Sequence, residues 1–422
     1  AYVNEHMDTL SGISVNEDMI RKYNYSEYFS SIIGYTGPIS ESEYTALHKK
    51  NKDYTQNDTV GKAGLEQYYE TYLRGKNGEQ KFYIDNVGRI SEIISSTDSV
   101  AGDDLYLSID ADLQKATYLA LQNEIAAIVY SSIKSGEIPI NDVYTALIGN
   151  SVINTEHFSK AKASDTEKNV LSVFKSRQKT TLGKIKQELT SSPEALNTMS
   201  DEVLDEFTYI ISMLKDDQVL LKNEIDTSDS VYQKWKNQKI SPKEYLSYCI
   251  TQHWIDISQL NVDEKYADST EVYDALCKYI LKNIKTDTEF SKIIYQYMIT
   301  RGEISPRQLC LILFDQGVLD YDDATVNKLK NGSLSPRDFL MKKIYNIEIT
   351  PAQLALEPCI GSCVVTDEKT GEIRAMVSYP GYDSNKLANG VDSEYFASLQ
   401  HDKSSPLLNY ATQQKTAPGS TF

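Results

Sequence analysis

The sequence has no long hydrophobic run. No uninterrupted apolar stretch approaches the ~18 residues that a membrane-spanning helix requires, and the apolar segment 309–314 fits a buried helix at most. The chain opens on Ala1 without the pattern of a signal peptide. The sequence therefore predicts no segment that inserts into a membrane.

Cysteines are few, and acidic residues outnumber basic ones. Five cysteines, an odd number at irregular spacing, indicate neither a disulfide framework nor a zinc cluster. The formal charge of −17 disfavours nucleic acid and anionic membrane surfaces, because each phosphate contact needs a Lys or Arg. H-E-x-x-H, Walker and G-x-G-x-x-G patterns are also missing. We predict no metal site, no cofactor and no nucleic-acid partner.

The last sixty residues combine two strand patterns with a serine after a turn. Residues 361–367 and 372–378 are predicted to be two strands joined by a tight turn. Near the end, a Pro-Gly pair makes a sharp turn and places Ser420 where a helix would begin. A serine there is either a helix cap or a nucleophile, and for an arbitrary Pro-Gly-Ser triplet the cap is far commoner.

The order of the neighbouring motifs favours the nucleophile. After the hairpin come a Pro-x-Tyr-Asp-x-Asn segment, an Asn-x-Ala-Thr-Gln segment and then Pro-Gly-Ser-Thr-Phe, the beginning of an S-x-x-K motif. In this order the chain resembles class B penicillin-binding proteins of the type called penicillin-binding protein 2. The residues that carry the resemblance are Pro380, Tyr382, Asp383, Asn385, Asn409, Ala411, Thr412, Gln413 and residues 418–422.

Two positions depart from the family pattern, and one triplet imitates another motif. Tyr410 stands where the family usually has arginine, and Ser384 where it usually has proline. Both departures concern loop conformation more than the nucleophile. The K-T-G triplet at 369–371 lies before Ser420 in the hairpin turn, whereas the family's K-T-G follows the serine, so we interpret it as a turn with a glycine.

The whole chain is predicted to be an α+β multidomain protein. Residues 1–102, with short strands, glycine turns and one or two helices, follow the order of the family's N-terminal pedestal or dimerisation domain. Residues 103–129 are predicted to be the first strand and helix of the transpeptidase domain, and 130–350 an all-helical insertion. Residues 351–422 continue the transpeptidase α/β sandwich, which the resemblance implies is truncated one residue before its lysine.

Two local patterns in the pedestal segment allow further interpretations. Residues 61–64 match the G-x-x-G loop of an RNA-binding KH module, but the surrounding acidic sequence offers no basic stripe for RNA. Glu66 and Arg74 are candidates for a buried or interdomain ion pair.

The transition into the transpeptidase domain is predicted from periodicity. Leu105, Leu107 and Ile109 alternate with polar residues, which indicates a half-buried strand over 102–110. Asp110 is predicted to cap the next helix. The core-facing stripe predicted for that helix consists of Leu113, Ala116, Thr117 and Ala120.

The insertion repeats one device at its predicted helix starts. Ser241, Ser305 and Ser335 are each preceded by an apolar residue and followed by proline, with an acceptor at the third helical position. The device suggests helix-turn-helix units in a bundle or an armadillo-like array. His253 completes an apolar stripe and is interpreted as a core histidine rather than a metal ligand. The predicted stripes are Leu246, Cys249, Ile250, His253 and Ile257, and then Tyr273, Leu276, Cys277, Ile280 and Ile284.

The resemblance implies peptidoglycan cross-linking by serine acyl transfer. Ser420 would be the nucleophile, the lysine three residues further the base, stem peptides the substrates and β-lactams the inhibitors. It also implies a membrane anchor outside this sequence, action on the extracytoplasmic face, other cell-wall synthesis proteins as partners and room for a homodimer. The piece in hand is expected to be inactive. The alternatives are a scaffold module without catalysis and a hydrolytic carboxypeptidase.

Overall fold

The computed structural model describes residues 20–84, 90–191, 194–260, 262 and 268–415. They fall into two compact units, residues 1–129 with 355–422 and residues 130–354. The helices and strands are α1 (Ser26–Ile33), β1 (Thr36–Pro38), α2 (Glu41–Lys50), β2 (Thr59–Gly61), α3 (Gly64–Tyr68), α4 (Glu70–Leu73), β3 (Glu79–Ile84), β4 (Ile90–Thr97), α5 (Ala111–Ser135), α6 (Ile140–Gly149), α7 (Asp165–Thr190), α8 (Asp201–Asp216), α9 (Ser230–Lys236), α10 (Pro242–Thr251), α11 (Ser269–Ile284), α12 (Thr288–Thr300), α13 (Pro306–Asp315), α14 (Asp323–Lys330), α15 (Pro336–Tyr345), α16 (Pro351–Leu354), β5 (Gly361–Thr366), β6 (Ile373–Tyr379), α17 (Ser393–His401) and α18 (Tyr410–Gln413).

The strands of the first unit form antiparallel pairs. β1 pairs with β2, and β3 pairs with β4 with register shifts at two places. β5 pairs with β6 from Gly361 opposite Tyr379 to Thr366 opposite Ile373. The predicted C-terminal hairpin is therefore confirmed. Its turn contains the K-T-G triplet, in which Gly371 has a φ of 75°. The Asp367 carboxylate accepts hydrogen bonds from the backbone amides of Lys369 and Thr370.

The strand predicted over residues 102–110 is wrong. This segment has no regular secondary structure, and its bonds to β6 come at its end, from Ser108 Oγ to Ile373 O (2.8 Å) and from Asp110 N to Arg374 O (2.9 Å). Alternation of apolar residues produces a strand only when a partner continues the ladder and covers one face. Here Leu105 and Leu107 remain 37% and 40% exposed.

Helix α5 begins as predicted but buries a different face. Asp110 Oδ1 accepts a hydrogen bond from Leu113 N (2.9 Å), which confirms the cap. The predicted stripe is wrong, since Leu113, Ala116 and Ala120 are exposed. The face is displaced because two glutamines and a tyrosine are buried on it. The buried residues are Gln114, Tyr118, Gln122, Ile125, Ala126, Val129 and Ile133.

The described residues of the N-terminal segment, 20–84 and 90–102, include four short helices, α1–α4, whereas one or two were predicted. Residues 61–64 lead from β2 into α3, which packs on α1. Gly64 has a φ of 59°, and a Cβ there would lie 2.4 Å from the carbonyl oxygen of Ile32. Close approach of two backbones therefore requires glycine at this position.

The predicted ion pair between Glu66 and Arg74 is wrong. Glu66 is buried and pairs with Arg21, with 3.0 Å between Arg21 Nε and Glu66 Oε1. Arg74 instead pairs with the Asp58 carboxylate and lies 4.0 Å from the ring centroid of Tyr54. Proximity in sequence suggested the wrong partner for each.

The second unit is built from helices, and most of its core is predictable. The stripe of α11, from Tyr273 to Ile284, is buried as predicted. The stripe of α10 holds only as far as Ile250. The interpretation of His253 as a core residue is wrong: α10 ends at Thr251, and His253 is exposed with a φ of 58° just beyond it. No helix in the described part of the chain is long and apolar enough to span a membrane.

The predicted serine caps are confirmed. Ser241, Ser305 and Ser335 each accept a hydrogen bond from the amide three residues on, and each proline occupies the first turn. A further copy at Thr350 makes the same bond from Gln353 N (3.2 Å) before Pro351. Each of these four starts follows a residue in the left-handed region that closes the preceding helix. Those residues are Gln238, Gly302, Gly332 and Ile347.

Candidate functional site

The predicted nucleophile Ser420 lies outside the described residues, as does the rest of 416–422. The described chain reaches Lys415. What the structure gives is the support that precedes the serine, formed by the β5–β6 hairpin, the loop 380–389 and α18. All of it belongs to the first unit.

Asn409 and Ser378 tie the segment before Ser420 to the hairpin. Ser378 Oγ donates to Asn409 Oδ1 (3.0 Å) and accepts from Ala411 N (3.1 Å). Asn409 Nδ2 donates in turn to the carbonyl oxygen of Ser31 in α1 (2.9 Å). The helix that follows, α18, packs on both β5 and β6. The start of α18 is therefore fixed to β6 and α1, five residues before the chain leaves the described region.

Tyr410 fills the position where arginine was expected. Its side chain is 7% exposed, and its hydroxyl donates to the carbonyl oxygen of Ser404 (2.6 Å). Burial raises the pKa of Tyr410, so the hydroxyl stays protonated at neutral pH. The departure thus serves to close the loop that precedes α18.

The Pro-x-Tyr-Asp-x-Asn segment packs against α1. Tyr382 N donates to Ser30 Oγ (3.0 Å), and the Tyr382 hydroxyl donates to the Ser30 carbonyl oxygen (3.1 Å). Asp383 Oδ1 accepts from Asn385 N (3.0 Å) and closes a tight turn. The tyrosine and the aspartate of the motif therefore both have structural partners within the described chain.

Ser384, at the position where the family usually has proline, also has a hydrogen-bond partner. Ser384 N donates to Ser26 Oγ (2.6 Å), and the proline that the family usually carries has no N–H to do so. Nearby, a Cβ on Gly381 would lie 1.9 Å from the carbonyl oxygen of Glu27. The loop and α1 therefore approach too closely for any side chain at position 381.

Two asparagine side chains hydrogen-bond to the backbone that precedes α1. Each pairs with both the N–H and the C=O of one residue, as a neighbouring β-strand does. Asn385 Oδ1 accepts from Tyr23 N (2.8 Å), while its Nδ2 donates to the Tyr23 carbonyl oxygen (3.0 Å). Asn389 repeats both contacts with Arg21, at 2.9 and 2.6 Å. Asn385 was recognised in the sequence as a motif residue, whereas Asn389 was missed.

Gln114 in α5 is a further residue that the sequence did not reveal. It is fully buried, with Met376 N donating to its Oε1 (2.8 Å) and its Nε2 donating to Met376 O (2.9 Å) and Tyr28 O (2.8 Å). One side chain thus pairs with both backbone groups of a β6 residue. The signal available was its place in an Ile-Asp-x-x-Leu-Gln run, residues 109–114, at the start of the predicted helix.

The ionisable groups of this region act as hydrogen-bond donors and acceptors. Tyr118 OH donates to Glu27 Oε1 (3.0 Å) and accepts from Gly381 N (3.1 Å). Burial and the Glu27 charge raise the pKa of Tyr118 far above its ordinary range. In the described ranges no cluster of three His, Cys, Asp or Glu side chains is placed to hold a metal ion. The arrangement fixes the backbone of the segment that leads to Lys415.

Two family models match the chain. The "Penicillin-binding Protein dimerisation domain" matches residues 1–107, and the "Penicillin binding protein transpeptidase domain" matches residues 361–422. Residues 108–360 lie between the two matches.

Curated relatives match over about 130 residues. The chain is 31% identical over 130 residues to the peptidoglycan D,D-transpeptidase MrdA of Salmonella typhimurium (strain SL1344), covering 30% of this chain and 21% of the relative. It is 33% identical over 129 residues to penicillin-binding protein 2A of Bacillus subtilis (strain 168), covering 30% and 18%. MrdA of Escherichia coli (strain K12) is 30% identical over 129 residues, covering 30% and 20%. The chain therefore spans about a fifth of the length of these relatives.

Proposed function

We propose that this chain, which carries the dimerisation and transpeptidase segments of class B penicillin-binding proteins, belongs to a peptidoglycan D,D-transpeptidase whose nucleophile is Ser420. The observation that carries the proposal is the match of residues 361–422, which includes Ser420, to the transpeptidase family model. The fixing of α18 to the β5–β6 hairpin through Asn409 and Ser378 supports it, because a nucleophile has to be held in one place to react.

The proposed reaction is a two-step acyl transfer. Ser420 Oγ attacks the carbonyl carbon between the two terminal D-alanines of a stem peptide, and its proton passes through a base to the leaving D-alanine amine. An ester on Ser420 forms as the peptide bond breaks. The amine of a neighbouring stem peptide then attacks the ester, which forms the cross-link and returns the serine hydroxyl. Backbone N–H groups near Ser420 would stabilise the oxyanion.

The proposal includes the setting of the enzyme. Residues 1–102 form the pedestal, 103–129 and 351–422 belong to the transpeptidase domain, and 130–350 are an insertion into it. We propose action on the extracytoplasmic face of a membrane, with other cell-wall synthesis proteins as neighbours and a homodimer through the pedestal. The dimerisation-domain match to residues 1–107 supports the last point.

Labelled penicillin tests the proposal, because a β-lactam acylates the same oxygen as the stem peptide. The product of the gene that encodes this chain should take up the label covalently, and peptide mass spectrometry should place it on Ser420. Ser420→Ala should reduce labelling to background. The matched control is Ser398→Ala, which removes an exposed hydroxyl on α17 and should label as the wild type does.

The acceptor is tested separately with a stem-peptide substrate and an added amine. A cross-linked product supports transpeptidation, whereas release of D-alanine without transfer indicates a carboxypeptidase. Unchanged labelling of Ser420→Ala would disprove the role of this serine.

A further inference from the structure

A groove on the second unit gathers positive charge in an acidic protein. It has a volume of about 410 Å³ and lies between the end of α5 and α15. Its lining residues are Tyr130, Lys134, Arg337, Asp338, Met341, Lys342 and Tyr345. Three of them are cations and one is an acid, in a chain whose formal charge is −17.

The helical period explains why these side chains converge. Tyr130 and Lys134 are four residues apart on α5, so they share one face of that helix. Arg337, Met341 and Tyr345 follow at the same spacing along α15. The two faces are joined where Arg337 Nη2 lies 3.5 Å from the Ile133 carbonyl oxygen.

The cations of the groove are available to a ligand. Lys134, Arg337 and Lys342 are exposed, and none of the three forms a salt bridge within the described residues. The Asp338 carboxylate accepts from Ser335 Oγ (2.7 Å), which commits it to the helix cap. The adjacent Lys343, by contrast, pairs with Glu348 and does not line the groove.

Aromatic and apolar surface accompanies the charge. The rings of Tyr130 and Tyr345 lie 5.2 Å apart between centroids at an interplanar angle of 61°, and Tyr345 is 61% exposed. Met341, only 6% exposed, is the apolar residue of the lining. Angled rings beside cations suit a compact ligand with C–H surface and a negative group. The volume is at the lower end of the range for small-molecule sites.

We propose that this groove binds a sugar that carries a phosphate or a carboxylate group. Lys134, Arg337 and Lys342 would bind the anionic group through charge-assisted hydrogen bonds, and Tyr130 with Tyr345 would contact the C–H faces of the ring. The choice of a sugar over other anions rests on the proposed function, which places the chain among cell-wall glycans. The cationic character of the groove does not depend on the proposed function.

Direct binding to the full chain tests the proposal without any use of penicillin labelling. The probes are N-acetylglucosamine 1-phosphate, glucuronic acid, neutral N-acetylglucosamine, inorganic phosphate and adenosine monophosphate, measured by calorimetry and saturation-transfer NMR. We expect one or both anionic sugars to bind, and the neutral sugar and inorganic phosphate to bind at least ~10-fold more weakly. Binding of the phosphate sugar alone, or of the uronic acid alone, identifies the anionic group.

Matched lysine variants locate the site. Lys342→Gln should weaken binding of the anionic sugar about tenfold, as loss of one charge-assisted bond predicts. Lys343→Gln, next in sequence but paired with Glu348, should bind within about twofold of the wild type. Arg337→Gln should behave as Lys342→Gln does, with an unchanged circular dichroism melting curve to show that it is folded.

Several results would overturn the proposal. Equal losses in Lys342→Gln and Lys343→Gln would show that binding is non-specific, and equal affinity for inorganic phosphate and the sugar phosphate would remove the role of the rings. Tighter binding of adenosine monophosphate would exclude a sugar site, and no saturable binding of any probe would exclude a site altogether. Ser420→Ala should bind the sugar as the wild type does, so failure of the transpeptidase proposal is recognised separately.

Discussion

Glu206, on α8 in the second unit, is the carboxyl group whose ionisation should control stability. Glu206 is only 1% exposed. Its burial, and to a lesser extent the negative charge of Glu202, raise its pKa from 4.5 to about 8, although the positive charges of Lys184 and Arg177 lower it. Glu202 itself is held by Arg177 and Arg301, at 2.9 and 2.6 Å. Arg177, one of the two cations that act on Glu206, is thus already shared with another carboxylate.

We expect Glu206→Gln to remove a pH dependence from the unfolding of the second unit. Between pH 4.5 and about 8 the folded state keeps a proton that the unfolded state loses. The free energy of unfolding therefore falls as pH rises, by up to ~1.4 kcal/mol per pH unit from this group. The neutral glutamine contributes no such slope, so the variant should gain stability over the wild type toward pH 8.

Urea unfolding followed by tryptophan fluorescence measures this, because Trp235 and Trp254 both lie in the second unit. The control is Glu224→Gln, which changes an exposed carboxylate of the same unit and should leave the slope as it is in the wild type. A wild-type slope in Glu206→Gln would show that Glu206 is ionised in the folded protein.

Individual partners were the hardest feature to predict from the sequence. Glu66 was paired with Arg74, eight residues away, but its partner is Arg21, 45 residues away. Nothing local distinguishes the two, since the choice depends on how α3 packs on the chain before α1. The prediction for His253 was wrong for a related reason. Its position continued the helical spacing of the apolar stripe of α10, but the helix ends at Thr251, before that position. The role of Ser420 as a nucleophile was predicted from motif order alone, and Ser420 lies outside the described residues.

At the scale of elements, the edge of β6 depends on a side chain from a helix. The buried side chain of Gln114 forms hydrogen bonds with the N–H and C=O of Met376 and with the C=O of Tyr28. Because buried backbone groups without partners cost ~1–3 kcal/mol each, the glutamine stabilises the strand as well as the packing of α5 on it.

We expect Gln114→Leu to lower the free energy of local opening of β6 by about 3 kcal/mol, because leucine leaves the backbone N–H and C=O of Met376 unpaired. Hydrogen exchange of peptides that cover 373–379 should then be about 100-fold faster. Asn123→Leu, at an exposed position of the same helix, should leave that exchange within a few-fold of the wild type. Equal exchange in both variants would show that the glutamine does not stabilise the edge.

Elements specified by neighbouring residues were predicted well, and those that need distant partners were not. The hairpin 361–378 and the Ser-Pro helix starts depend on turn and cap chemistry within four residues, and both are present. The segment 102–110 had the alternation of a strand but no continuous neighbour to pair with. In α5 the apolar residues suggested one face, whereas hydrogen bonds to Gln114 and Tyr118 selected the adjacent one.

At the scale of the whole molecule, the second unit has the character of a module. Residues 130–354 are contiguous, whereas the first unit is assembled from two stretches, 1–129 and 355–422. The two family models match only the stretches of the first unit. The second unit also has a core of its own, including Leu147, Phe207 and Leu276, each at 0% exposure. A contiguous segment with its own core is the usual basis of independent folding.

We expect a polypeptide of residues 111–354 to fold alone, with a cooperative loss of helical circular dichroism in urea. Starting at Ala111 keeps the whole of α5, because the boundary between the units falls inside that helix and cutting at residue 130 would leave only its last six residues. Its urea midpoint should match that of the tryptophan-monitored transition in the full chain, since both report the same core. A polypeptide of 150–354 is the control: it lacks α5 and α6, exposes the buried faces that contact them, and should unfold at lower urea. A non-cooperative transition in 111–354 would mean that the first unit is required for the second unit to fold.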